Sequence, residues 1–154
     1  MRPTRYFEDY EMGDVFVTDS ATITEGQILQ FARAFDTQVF HTNLAEADDG
    51  PFGGLIGSGL QTLNFSMALF FKLQLVQPVA RGGAGMDKLR WTKPLRPGDT
   101  IHVECEVIEI TPPGRNPTRG AVRMRHDTYN QDGVVIMTME CIHLIATRHA
   151  EAAE

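Results

Sequence analysis

The sequence predicts an α+β fold in which a curved antiparallel sheet wraps around one long buried helix. Three observations carry that expectation. The run "GLQTLNFSMALFFKLQLV" (59–76) has apolar residues on nearly every helical face, the mark of a helix buried all round. Beyond residue 78, four long segments alternate or run apolar and are joined by turns rich in Pro, Gly and Asp. A single greasy helix cannot bury itself, whereas a sheet curled around it buries both.

The elements follow in order. "VFVTDSATITE" (15–25) alternates and is rich in β-branched residues, so it reads as a strand. Thr24 is placed to cap the next helix, and Gln27 three residues on completes a capping box. That helix carries Ile28, Phe31, Ala32 and Phe35 on one face and ends near Phe35. Residues 36–58 read as an ordered loop, dense in Asp, Asn and Gly, of a length usually kept for function. Ser58 then opens the long helix, expected to run about five turns. "AGMDKLRWTKPLRPGD" (84–99) is a strand ending in a Pro-Gly-Asp turn. "TIHVECEVIEIT" (100–111) sets Ile101, Val103, Cys105 and Val107 on one face and His102, Glu104 and Glu106 on the other. "AVRMRHDTYNQDG" (121–133) ends in Asp132-Gly133, a hairpin signal. "VVIMTMECIHLIATR" (134–148) is nearly all apolar, as for a strand that is central or covered on both faces. Residues 149–154 read as a frayed tail, leaving an ordered core of about 6–148 in a single domain spanning 1–154.

Bulk composition narrows the functional classes. The chain has 154 residues, 42% hydrophobic and 22% charged, the balance of one soluble globular domain. Its net charge of -6 argues against nucleic acid and against an anionic membrane surface. No segment has the ~20 apolar residues of a membrane span; Gln61, Asn64, Lys72 and Gln74 interrupt the longest one. The N-terminal stretch lacks an apolar core of signal-peptide length, so a cytoplasmic location is expected. Cys105 and Cys141 lie in strand-like runs and read as small buried hydrophobes, with neither a disulfide nor a metal expected.

The chemistry concentrates at the end of the first helix. "FARAFDTQVFHTN" (31–43) begins with helical spacing, then sets Asp36 and His41 five residues apart among apolar neighbours. Taken alone, Asp36 reads as a helix-terminating residue and His41 as a core histidine. Phe35, Val39 and Phe40 would raise the carboxylate's pKa by desolvation, which suits a proton shuttle. Gly59 sits where a buried helix begins, among unpaired N–H groups and the positive end of the dipole. A Ser58 cap on that helix is compatible with a Gly59 amide that faces a ligand. His102, His126 and His143 have no metal-ligand spacing and read as structural or surface residues. "GGLIGSG" (53–59) lacks the lysine of a phosphate loop and follows no strand, which excludes nucleotide binding.

Four segments in order, "RYFEDYEMGDVF" (5–16), "FARAFDTQVFHTN", "PFGGLIGSGLQT" (51–62) and "LRWTKPLRPGDTI" (89–101), resemble the MaoC-like hydratase branch of the hot-dog fold. Asp36, four residues and His41 match that family's hydratase spacing. The chain departs from it in the interior Thr37–Phe40, in Ser58 where the family often has His, and in Met67 where hydratases carry Ser. The resemblance implies an (R)-specific enoyl-CoA hydratase or 3-hydroxyacyl-CoA dehydratase. Asp36 and His41 would hold the reacting water, and Gly59, Ser58, Phe40, Phe52 and Leu55 would surround the substrate. An acyl-CoA thioester is the implied ligand, with no metal or redox cofactor and a homodimer or higher homo-oligomer. Arg90, Lys93 and Arg96 would meet the coenzyme A phosphates or form a solvated face. Two rivals share the pocket: a hot-dog acyl-CoA thioesterase and a non-catalytic acyl-CoA-binding subunit.

Overall fold

The computed structural model describes residues 4–77 and 79–148; the tail expected at 149–154 lies outside the described residues. A 3-10 turn at Phe7–Asp9 leads to two short strands, β1 (Val15–Val17) and β2 (Ala21–Thr22). Then come helices α1 (Glu25–Phe35), α2 (Val39–Thr42), α3 (Leu44–Asp48) and α4 (Gly59–Lys72). Four long strands follow: β3 (Ala80–Trp91), β4 (Thr100–Thr111), β5 (Arg119–Tyr129) and β6 (Val135–Ala146). The sheet is antiparallel in the order β1-β4-β5-β6-β3, with β2 also on β4. This is the α+β hot-dog layout that the pattern and the resemblance predict.

Alternation dictates which face is core. On β4, Ile101, Val103, Cys105 and Val107 are buried and their neighbours half-exposed. On β5 the inward set is Val122, Met124, His126 and Thr128. On β6 it includes Met137, Met139, Cys141, His143 and Ile145. Phe70 of α4 is fully buried over this concave face, its ring 4.7 Å from that of His126 and 4.9 Å from that of His143. Burial pushes His126 down to about 3 and His143 to about 4, so both imidazoles are neutral.

Three expectations are corrected here. The segment 15–25 is two strands, because the Thr18 side chain bonds the Val103 amide and breaks the run. The loop 36–58 contains α2 and α3. Of the two readings of β6, the central one holds, since it lies between β5 and β3; its outward residues stay half-exposed, with Glu140 paired to Lys88 and Arg123. The long helix stops at Lys72 and is not buried all round, since Leu60 is 48% and Phe71 43% exposed. One chain's sheet covers one side of a helix, and here the covered side is Gln61, Thr62, Ser66, Leu69 and Phe70. β3 is the sheet's edge strand, and all its residues except Leu89 are exposed.

Candidate functional site

The site is built where α1 ends and α4 begins. Thr24 and Gln27 form the expected capping box, so α1 starts in a fixed place. Asp36 is its C-cap, with the amide bonded to Ala32 O. Gln38 starts α2, and one turn later the chain brings His41 back toward Asp36. The 4% exposed His41 is pinned: its Nδ1 lies 2.8 Å from Ile56 O. The Ile56 amide in turn donates to Phe40 O. A carbonyl only accepts, so Nδ1 carries the proton there and Nε2 is the atom turned toward Asp36. His41 Nε2 and Asp36 Oδ2 face each other at 3.4 Å.

The carboxylate is held from two more sides. Ser58 Oγ donates to Asp36 Oδ2 at 2.7 Å, and Gln38 Nε2 donates to Oδ1 at 2.9 Å. Ser58 Oγ also accepts from the Leu60 amide, so one hydroxyl both caps α4 and orients the acid. Desolvation pushes Asp36 up, but the Ser58 and Gln38 hydrogen bonds and His41 together outweigh it. The net direction is below the ordinary carboxylate range. This reverses the expected rise: desolvation is present but outweighed, while Phe35 and Val39 themselves point to solvent, at 73% and 46% exposure.

Asp36, His41, Ser58 and Gly59 line one cavity of about 490 Å³ with Phe40, Phe52, Ile56, Leu60, Trp91 and Leu95. That volume suits a small-molecule site. Phe40 and Phe52 meet edge to face at 5.1 Å. Leu55 stands apart: it is packed in the core and does not line the cavity. Among the three basic candidates Lys93 lines it, whereas Arg96 holds Phe52 O and Arg90 folds back onto Leu89 O.

Gly59 opens α4, and among the described residues no protein acceptor takes its N–H. Its Cα lies against the indole of Trp91, whose Nε1 donates to Gly59 O at 2.8 Å. A Cβ at position 59 would come 2.6 Å from Trp91 Cε2. Gly59→Ala should therefore cost ~1–3 kcal/mol by overpacking, and the Gly59→Ala, Trp91→Ala pair should recover most of it. Thermal unfolding of the two variants checks this; a single variant as stable as wild type would show that the indole is free to leave.

Sequence reading missed Gln38 and Trp91. Gln38 sits inside the Asp36–His41 spacing, where a local turn returns its amide to Asp36. Trp91 lies 32 residues from Gly59 along the chain, and no local pattern signals that contact.

Residues 9–130 match the family described as a MaoC-like domain. The chain belongs to that family. An uncharacterized protein of Bacillus subtilis, YdeM, is 32% identical over 138 residues, covering 90% of this chain and 96% of YdeM. The crystal structure of a MaoC-like dehydratase from Rhodospirillum rubrum is 36% identical, with TM-score 0.84 over 93% of this chain and 97% of that one. The unliganded (R)-hydratase PhaJ1 of Pseudomonas aeruginosa is 25% identical, with TM-score 0.69 over 94% of this chain and 86% of that one. In this MaoC-like chain the Asp36–His41 pair, the Ser58 cap and the Gly59 amide share one cavity wall.

Proposed function

We propose that the protein is an (R)-specific enoyl-CoA hydratase that also runs in reverse as a 3-hydroxyacyl-CoA dehydratase. The observation that carries this reading is the facing of Asp36 Oδ2 and His41 Nε2 at 3.4 Å on a cavity wall shared with Gly59. With Nδ1 committed to Ile56 O, both facing atoms are acceptors when the imidazole is neutral. A water donating one O–H to each satisfies both and keeps its lone pairs for attack on the β-carbon. The pair removes one proton as the C–O bond forms and returns a proton to the α-carbon. Each positioned acid or base is worth roughly 10²–10⁴ in rate. Charge developing on the thioester oxygen meets the Gly59 N–H and the positive end of α4. The apolar walls of Phe40, Phe52, Ile56 and Leu60 receive the acyl group, and Lys93 is placed for an anionic group at the cavity. The reaction draws on no metal or redox cofactor.

The ligand class, an acyl-CoA thioester, and the (R) stereochemistry rest on family membership and on the likeness to the (R)-hydratase PhaJ1. We assign a homodimer on the same basis, supported by the exposed edge strand β3 and the uncovered Leu60 and Phe71. A solution mass twice 17.2 kDa is expected. No helix among the described residues is long and apolar enough to cross a membrane, which suits a cytoplasmic enzyme of acyl-CoA metabolism. Crotonyl-CoA tests the reaction. Loss of enoyl absorbance without release of free thiol is expected. Free thiol would mean a thioesterase, and tight binding without turnover would mean an acyl-CoA-binding subunit.

A further inference from the structure

Three potential metal ligands lie together in the core, away from the hydration site. They are His126 from β5 and Cys141 and His143 from β6, all on inward positions. Their ligand atoms lie within 4.8 Å of one another. The two Nε2 atoms face each other at 3.4 Å. That is long for an N–H···N hydrogen bond. It is close to the ~3.3–3.6 Å that separates two nitrogens each ~2.0–2.1 Å from a shared tetrahedral or trigonal ion.

We propose that His126, Cys141 and His143 form a binding site for a soft monovalent cation of the copper(I) type.

The second shell fits. His126 Nδ1 lies 3.4 Å from Cys105 Sγ, so an Nδ1–H donated to that sulfur leaves Nε2 free to ligate. Phe70 stacks on the His143 ring at 29° and meets His126 at 71°, fixing both planes. Charge balance then selects the ion. Two neutral imidazoles and one thiolate cancel a single positive charge. A divalent ion would leave one charge in an apolar core, and among the described residues no carboxylate joins the cluster to cancel it. Thiolate also favours a soft ion over a hard one. Binding exchanges the Cys141 proton for the metal: the S–H bond breaks, an S–Cu bond forms, the proton leaves to solvent, and no oxidation state changes.

A cavity of about 270 Å³ adjoins the cluster, walled by Cys141 and His143, by Met67 and Phe71 of α4, and by Met86 and glycines of β3. The Met67 and Met86 thioethers are soft donors on its wall.

The test is an anaerobic titration of the untagged full chain with copper(I) against bicinchoninate, a chromophoric chelator. One equivalent per chain should be retained, and copper K-edge absorption should show two nitrogens and one sulfur. Zinc(II) should bind far more weakly. Cys141→Ser should abolish retention, whereas Cys105→Ala, in the outer shell, should weaken it only ~10–100-fold. Copper stripped completely by the chelator, a coordination shell without sulfur, or retention unchanged in Cys141→Ser would each overturn the site. The absorption experiment uses wild-type protein, so it decides even if a variant fails to fold. Hydration of crotonyl-CoA does not enter the readout, so this test and that of the catalytic reading fail separately.

Discussion

Asp36→Asn and His41→Ala should each lower hydration of a short enoyl-CoA at least ~10²-fold while the protein stays folded. Asp36 caps α1 at its C-terminal end and is partly exposed, so the amide keeps the shape and loses the base. His41 sits in the single turn α2, where its main structural bond is the one to Ile56 O. Steady-state rates, with circular dichroism as the folding control, check both. A variant with near-wild-type turnover would remove that residue from the chemistry. Ser58→Ala adds a pH signature. The Ser58 hydroxyl helps hold Asp36 below the ordinary carboxylate range, so the acid stays ionised as pH falls. Without that donor its pKa rises, and the acid limb of the kcat/KM profile moves to higher pH. A depressed native pKa contributes stability above the unfolded value, near pH ~4, that is lost as pH falls through the native value. Ser58→Ala should shrink that contribution. An acid limb that does not move would show that the Ser58–Asp36 bond is not made in solution.

Phe70→Ala should be the most damaging core change, costing ~3–5 kcal/mol. Phe70 is among the largest fully buried side chains and joins α4 to the β5–β6 face through His126 and His143. For a chain of this size the melting temperature should drop by ~10 °C or more. Urea unfolding measures the loss. A cost under ~1 kcal/mol would mean that the core collapses into the gap and that Phe70 does not tie the helix to the sheet.

Much of this was legible because it is local. Thr24 and Gln27 are three residues apart, and their capping box formed as expected. The alternation of "TIHVECEVIEIT" became β4 at those residues, with the expected face inward. The five-residue step from Asp36 to His41 is short enough for one turn to close it. What was misread depends on partners far along the chain. Apolar texture in α4 said that the helix is greasy, but not that Leu60 and Phe71 would be left uncovered by a single sheet. The apolar neighbours of Asp36 suggested a raised pKa; desolvation does push that way, but Ser58, 22 residues away, joins Gln38 and His41 in outweighing it. Leu55 looked like a wall of the cavity and went to the core. His126 and His143 showed no spacing at all, because strands β5 and β6 bring them together only when the sheet forms.

The sequence by itself determined the order and type of the main elements, the inward face of the sheet and the acid–imidazole pair, since each depends on periodicity or on spacing within a turn or two. Only the tertiary structure decided which way the Asp36 pKa moves, that Trp91 closes over Gly59, and that two imidazoles and a thiol meet in the core. Those outcomes depend on distance and burial between residues tens of positions apart, and chain packing alone sets them.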